Sequence, residues 1–260
     1  MDGPLRDAYL ARIGVGGVPR ADAATLRRLQ LQHLLTVPFE NLSIHLGEPI
    51  VLDQDTLVDK VVRRRRGGFC YELNGAFAAL LSALGFRVTL LAARVFGDQG
   101  LGPPFGHLAL RVDLDGAGSW LADVGFGRHS HYPLRLGSGA EQADPGGAFH
   151  VTETADGDLD VLRDGAPQYR AEQRPRALRD FEATCWWHQT SPRSRFTRSL
   201  VCSRLTERGR VTLSDRTLVE TTGGGQRERT LPGDAEVLDA YRDRFGIDLD
   251  RVPSLRELPA

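Results

Sequence analysis

At Phe86 the chain changes period. Before it, apolar residues recur every three or four positions; after it, they gather in short runs at 88–91, 107–112 and 119–124, separated by Gly, Pro and Asp clusters. Helices first and strands afterwards exclude an all-helical bundle and an alternating parallel βα sheet. They predict an α+β chain with strands paired antiparallel.

Three helices are predicted in the amino-terminal part. Asp22 caps one carrying Leu26, Leu29 and Leu34, and Asp53 or Asp55 opens a second carrying Leu57, Val58, Val61 and Val62. The third runs from about Cys70 through Phe77 and Leu81 to Gly85. The second ends in Arg63-Arg64-Arg65-Arg66 and Gly67-Gly68, which reads as a solvated helix terminus: cations suit the negative pole of the dipole, and glycine supplies a left-handed stop. An antiparallel barrel or sheet is predicted for 86 to about 190, with further strands near 150–154, 159–162 and 168–171. Strand-like pieces at 200–202, 210–213 and 217–219 then lead to a last helix over 234–245.

Composition narrows the class of function. With 260 residues, 41% hydrophobic and 26% charged, the chain has enough apolar surface for a real core. Lys and Arg number 33 against 34 Asp and Glu, a formal charge of −1, which gives no global field to hold a phosphate backbone or an anionic bilayer. The opening MDGPLRDAYL lacks a basic segment followed by an apolar one, and the run from Ala76 to Leu84 is too short to span a bilayer. A cytoplasmic protein without nucleic-acid or membrane partners is expected.

Three cysteines, Cys70, Cys185 and Cys202, are too few and too scattered for a disulfide framework or a zinc knuckle. Cys70 stands where a nucleophile belongs. At a helix start it meets unpaired backbone N–H groups and the positive end of the dipole, which favour thiolate. Cys185 and Cys202 have no such setting and read as packing residues. A nucleophilic thiol needs a base, and the base needs an orienting partner. His107 and Asp123 flank a hairpin whose turn centres near Asp115 or Gly116, so folding about that point sets residue 107 opposite about 123 to 125, with Cβ atoms ~5 Å apart. Spacing does not bring Cys70 to this hairpin. His129 and His131 lack a third ligand, so no metal site is expected, and Gly14 to Gly17 lacks the Lys-Ser/Thr ending of a phosphate loop.

These residues resemble a family. RGGFCYELN at 66–74, preceded by VPFENL at 37–42 and followed by Gly106-His107 and Asp123-Val124-Gly125-Phe126-Gly127, is similar to the arylamine N-acetyltransferases; the likeness continues through TSPRSRF at 190–196 and LSDR at 213–216. The resemblance implies three domains: a helical bundle over 1–85 with the nucleophilic Cys, a β-barrel over 86–190 with His and Asp, and an interdomain segment with an α/β lid over 191–260. It also implies the reaction. An acetyl group passes from acetyl-coenzyme A to the nitrogen of an arylamine, arylhydrazine or arylhydroxylamine by a ping-pong route, through a triad falling on Cys70, His107 and Asp123. Phe39, Val95, Phe126 and Arg128 would line the acceptor pocket, for xenobiotic or metabolite amines, and no metal is implied. Many bacterial members carry Gly at the position of Arg128, and an arginine there offers a bidentate partner for a carboxylated arylamine. Two alternatives use the same chemistry: macrolactam closure on an aromatic-amine polyketide, and a thioester or cysteine hydrolase. A non-enzymatic binding module would have to lose the triad, and all three members are present.

Overall fold

The computed structural model describes residues 1–255. Five helices open the chain: α1 (Gly3–Arg12), α2 (Ala23–Thr36), α3 (Leu42–Leu46), α4 (Gln54–Val62) and α5 (Cys70–Ala83). Asp22 caps α2 by accepting from Thr25 N at 2.8 Å, and Asp53, not Asp55, caps α4 by accepting from the amides of Asp55 and Thr56. Helix α5 is buried over most of its length, and Leu73, Phe77, Leu80 and Leu81 form the centre of the first core with Leu26, Leu29 and Val61.

The arginine run departs from its expected role. Arg63, Arg64 and Arg65 are exposed, but Arg66 is buried and pairs with Glu40 at 3.0 Å and with Glu48 at 3.1 Å. The left-handed residue is Arg65, at φ 53°, and neither glycine. Gly67 and Gly68 are required by close approach instead: a Cβ would sit 1.8 Å from the Pro38 carbonyl oxygen at the first and 2.6 Å from a Glu72 carboxylate oxygen at the second.

From Arg87 the chain winds into an antiparallel sheet of nine strands. These are β2 (Arg87–Gly97), β3 (Gly100–Leu101), β4 (His107–Leu114), β5 (Gly118–Ala122), β6 (Leu134–Arg135), β7 (Gln142–Asp144), β8 (Gly147–Glu153), β9 (Leu159–Arg163) and β10 (Ala166–Arg176). The order β6-β5-β4-β2-β10-β9-β8-β7 curls round until its ends meet, and the Gln142 side chain bridges them by donating to the Arg135 carbonyl and accepting from its amide. The result is a nearly closed barrel, filled by Leu91, Ala93, Ala109, Phe149, Val161 and Tyr169.

Strand structure stops at Arg176, earlier than the pattern predicts. A short 3-10 turn over Leu178–Phe181 leads into α6 (Glu182–Thr190), and Phe181 at the end of the turn and Cys185 in the helix, four apart, pack into the first core rather than the barrel. After α7 (Arg195–Arg198), a second antiparallel sheet forms from β11 (Val201–Thr206), β12 (Gly209–Ser214), β13 (Thr217–Thr222) and β14 (Gly225–Thr230). Its fifth strand, β1 (Phe39–Glu40), comes from the amino-terminal part and pairs Phe39 with Ser203 and Glu40 with Cys202. The predicted last helix is α8 (Asp234–Ala240), closed by a π-type turn over Tyr241–Phe245. Among the described residues, no helix is long and apolar enough to cross a membrane. The architecture is α+β, as the period change requires.

Candidate active site

Cys70 is the first residue of α5, and the segment before it is fixed from several sides. Glu40 N donates to the Gly68 carbonyl at 2.9 Å, and Phe69 N donates to the Glu72 carboxylate, which Lys60 grips at 2.5 Å inside the protein. On the barrel side, Gly125 lies directly over the thiol-bearing residue: a Cβ there would stand 2.7 Å from Cys70 Cα. That contact is what brings the hairpin to the helix, the step that spacing left open.

The hairpin register pairs Leu110 with Ala122 and Leu114 with Gly118, so its turn centres on Gly116 and residue 107 projects opposite 125. Asp123 lies one residue past β5, and its Oδ2 accepts from His107 Nε2 at 2.7 Å. The Cys70 side chain lies close enough to the same imidazole to help raise its pKa. All three side chains are almost fully buried. Burial works against a charged imidazole here, but the Asp123 carboxylate and the Cys70 contact outweigh it and push the His107 pKa up to about 10. Burial also opposes charge on Asp123, and His107, His129 and the Asn74 amide win, holding its carboxyl at about 2. A carboxylate and an imidazolium therefore coexist at neutral pH beside the buried Cys70 side chain.

Two residues that sequence reasoning left without a role hold this geometry. Asn74 donates to Asp123 Oδ1 at 2.9 Å and to the Leu108 carbonyl at 2.6 Å, while its Oδ1 accepts from Val124 N. Four residues after Cys70, it lies one turn along the same helix face, a spacing that could have flagged it. Gln30, on α2, accepts from Asp123 N at 3.1 Å across the interface, and no local signal points to it. Burial raises the Tyr169 pKa, the Asp123 carboxylate it faces adds to the shift, and its hydroxyl makes no hydrogen bond among the described residues.

A cavity of about 480 Å³ opens along the segment from Phe126 to His129, one residue on from the Gly125 that seats on Cys70. Phe39 and Phe126 form its aromatic walls, and the Phe126 ring stands edge-on to His107 with centroids 5.1 Å apart. Arg128 lines it too, with its side chain largely in solvent. Val95 does not join them. It sits on β2, paired with Tyr169, and packs against the barrel core. A larger groove, about 1020 Å³, runs between α2 and strands β12 to β14; neither it nor the smaller cavity is lined by Cys70, His107 or Asp123, and the smaller one comes nearer to them through Phe126, whose ring stands against His107. His129, predicted to lack partners for a metal, is buried among Phe126, Phe149 and Tyr169. Among the described residues, no group of three His, Cys, Asp or Glu is gathered as metal ligands.

Comparison with known proteins gives this arrangement its class. A family model described as N-acetyltransferase matches residues 22–253. The arylamine N-acetyltransferase of Mycolicibacterium smegmatis is 37% identical, over 93% of this chain and 91% of that protein. A solved structure of the M. smegmatis arylamine N-acetyltransferase superposes with a TM-score of 0.87, covering 95% of this chain and 93% of the other. A structure of the Mycobacterium marinum arylamine N-acetyltransferase in complex with CoA, 34% identical, superposes with a TM-score of 0.83, each chain covered to 92%. Fold and relatives together define an acyltransferase. The chain belongs to the arylamine N-acetyltransferase family.

Proposed function

We propose that the protein transfers an acetyl group from acetyl-coenzyme A to the nitrogen of an aromatic amine, hydrazine or hydroxylamine, through a thioester on Cys70. The observation that carries this reading is a thiol at a helix start, close to an imidazole that is held 2.7 Å from a buried carboxylate. The CoA complex of the M. marinum relative supports the donor.

In the resting site, the thiol proton rests on His107, and the helix start stabilises the thiolate. The thiolate attacks the thioester carbonyl of the donor; the C–S bond to coenzyme A breaks, and His107 gives its proton to the departing sulfur. The acetyl group stays activated, because one thioester has replaced another at little cost. The aromatic amine then attacks the acetyl-Cys70 carbonyl, His107 takes the amine proton, and the Cys70 thiolate is regenerated. Asp123 fixes the imidazole tautomer and stabilises the charged ring throughout. The nucleophile comes from the helical part, the base and its partner from the barrel, and the last part supplies a cavity wall through residues such as Val201, Leu205 and Arg210. A reducing, cytoplasmic setting keeps Cys70 as free thiol.

The test is steady-state kinetics with both substrates varied. A double-displacement route predicts parallel double-reciprocal lines, with all activity lost in Cys70→Ala and kept in Cys185→Ala and Cys202→Ala. Intersecting lines, or turnover surviving in Cys70→Ala, contradict it.

A further inference from the structure

Lys60 is the only lysine in the chain; the side chains that otherwise carry positive charge are arginines and histidines. It is buried on α4, 6% exposed, and its ammonium donates to Glu72 Oε1 at 2.5 Å and to Ser43 Oγ at 2.9 Å. A compact ammonium, rather than a planar guanidinium, suits this slot between α3, α4 and α5. Glu72 turns its other oxygen to the residue before the nucleophile, accepting from Phe69 N at 3.2 Å, and its side chain fills the space that Gly68 leaves by having no Cβ. A carboxylate at a helix start suits the dipole, but this one belongs to the second residue after Cys70, at the same positive pole that favours a thiolate. Uncompensated, it would oppose a second negative charge there. Glu40 and Glu48 are engaged by Arg66, at 3.0 Å and 3.1 Å, and Lys60 is the cation paired with Glu72. The field of that pair reaches the neighbouring sulfur: burial raises the pKa of Cys185, on α6, well above its ordinary range, the charges of Glu72 and Cys70 add to the rise, and Lys60 works against it. Burial raises the Glu72 carboxyl too, and Lys60 is foremost among the groups that hold it down.

We propose that Lys60 is a positioning residue for the acetyl transfer: it keeps Glu72 ionised and cancels its charge, so that one carboxylate can hold the helix start without opposing the thiolate of Cys70. This rests on the acetyl-transfer reading and adds to it a residue of α4 that acts through Glu72.

The experiment follows the burst of coenzyme A released from acetyl-coenzyme A, with no amine present, from pH 6 to 9 in wild type, in Lys60→Met and in Lys60→Met/Glu72→Gln. Without the ammonium, the buried carboxyl titrates within this range. At the acidic end Glu72 is neutral and the burst should stay within about threefold of wild type; at the alkaline end its uncompensated charge should slow the burst about tenfold or more. The rate of Lys60→Met relative to wild type should therefore fall as pH rises. In the double variant no such group remains and the amide can still accept from Phe69 N, so the ratio should be flat with pH and within about threefold of one. A lysine that only supports packing would change the rate by the same factor at every pH. Glu72→Gln alone leaves the ammonium uncancelled, and iodoacetamide should alkylate Cys70 there at least as fast as in wild type at pH 6, which keeps the test open if Lys60→Met does not fold. A ratio flat with pH in Lys60→Met, a pH dependence that persists in the double variant, or slower alkylation in Glu72→Gln overturns the proposal. A wild-type protein that releases no burst would instead refute the underlying reaction.

Discussion

At the scale of single residues, the site depends on keeping two opposite charges buried side by side. Asp123 stays ionised because its oxygens accept from His107, from Asn74 and from Gly125 N, the last at 2.9 Å. Removing Asn74 withdraws one of those donors and leaves Val124 N without its acceptor. A buried group stripped of its partner costs about 1–3 kcal/mol. Asn74→Ala should therefore slow acetylation of Cys70 about tenfold or more, equally for every amine, with KM for acetyl-coenzyme A nearly unchanged; stopped-flow release of coenzyme A measures it. A rate within twofold of wild type would show that Asp123 is held well enough without it. The helix start at Cys70 and the pairing of His107 with Asp123 were legible because a helix start and a hairpin register are local. Their meeting was not, since it depends on Gly125 seating on Cys70 across the gap between helix and barrel. The same holds for Gln30, which reaches Asp123 N from α2, and for Arg163 and Arg210, whose sequence neighbours carry no hint of the cavity they line.

At the scale of elements, the connection between α4 and α5 shows where a local pattern misleads. Four consecutive arginines after an amphipathic helix fit a solvated terminus, and three of them behave so. Arg66 instead turns inward to Glu40, a residue of β1, whose own strand belongs to the carboxy-terminal sheet. One ion pair thus ties the loop before the nucleophile to the strand that carries Phe39, the aromatic wall of the cavity. Burial raises the cost of charge on Glu40, yet Arg66 and Lys60 hold its carboxyl below the usual range, so the pair stays ionic. The two glycines that follow have ordinary backbone angles, and only the approach of Pro38 and Glu72 explains them. Helices α2, α4 and α5 and most strands were readable from their periods. Strand β14 was not, because all six of its residues, Gly225 and five polar ones, are exposed, and α6 was not, because its buried residues are only Cys185 and His188.

At the scale of the whole molecule, three buried histidines without acidic partners set the response to acid. Burial is the main cause in each case and lowers the pKa of His33 to about 3 and those of His129 and His188 to about 4. In the unfolded chain they titrate near 6.5, so below that value the unfolded state binds more protons and stability must fall as pH falls. Each contributes a slope of about 1.4 kcal/mol per pH unit between about pH 6.5 and 4. Urea unfolding at pH 7, 6, 5 and 4.5 should show a steepening loss, reduced by about a third in His129→Phe; a flat profile over this range would contradict the assignment of these groups as neutral. The proposed catalysis draws on all three parts of the molecule, and its central claim is an acetyl group resting on Cys70. Incubating the protein with acetyl-coenzyme A alone and weighing it intact should reveal one added acetyl group, mapped by peptide analysis to Cys70 and discharged when an aromatic amine is added. A protein that stays unmodified, carries the group elsewhere, or loses it to water as fast with no amine present would contradict the account.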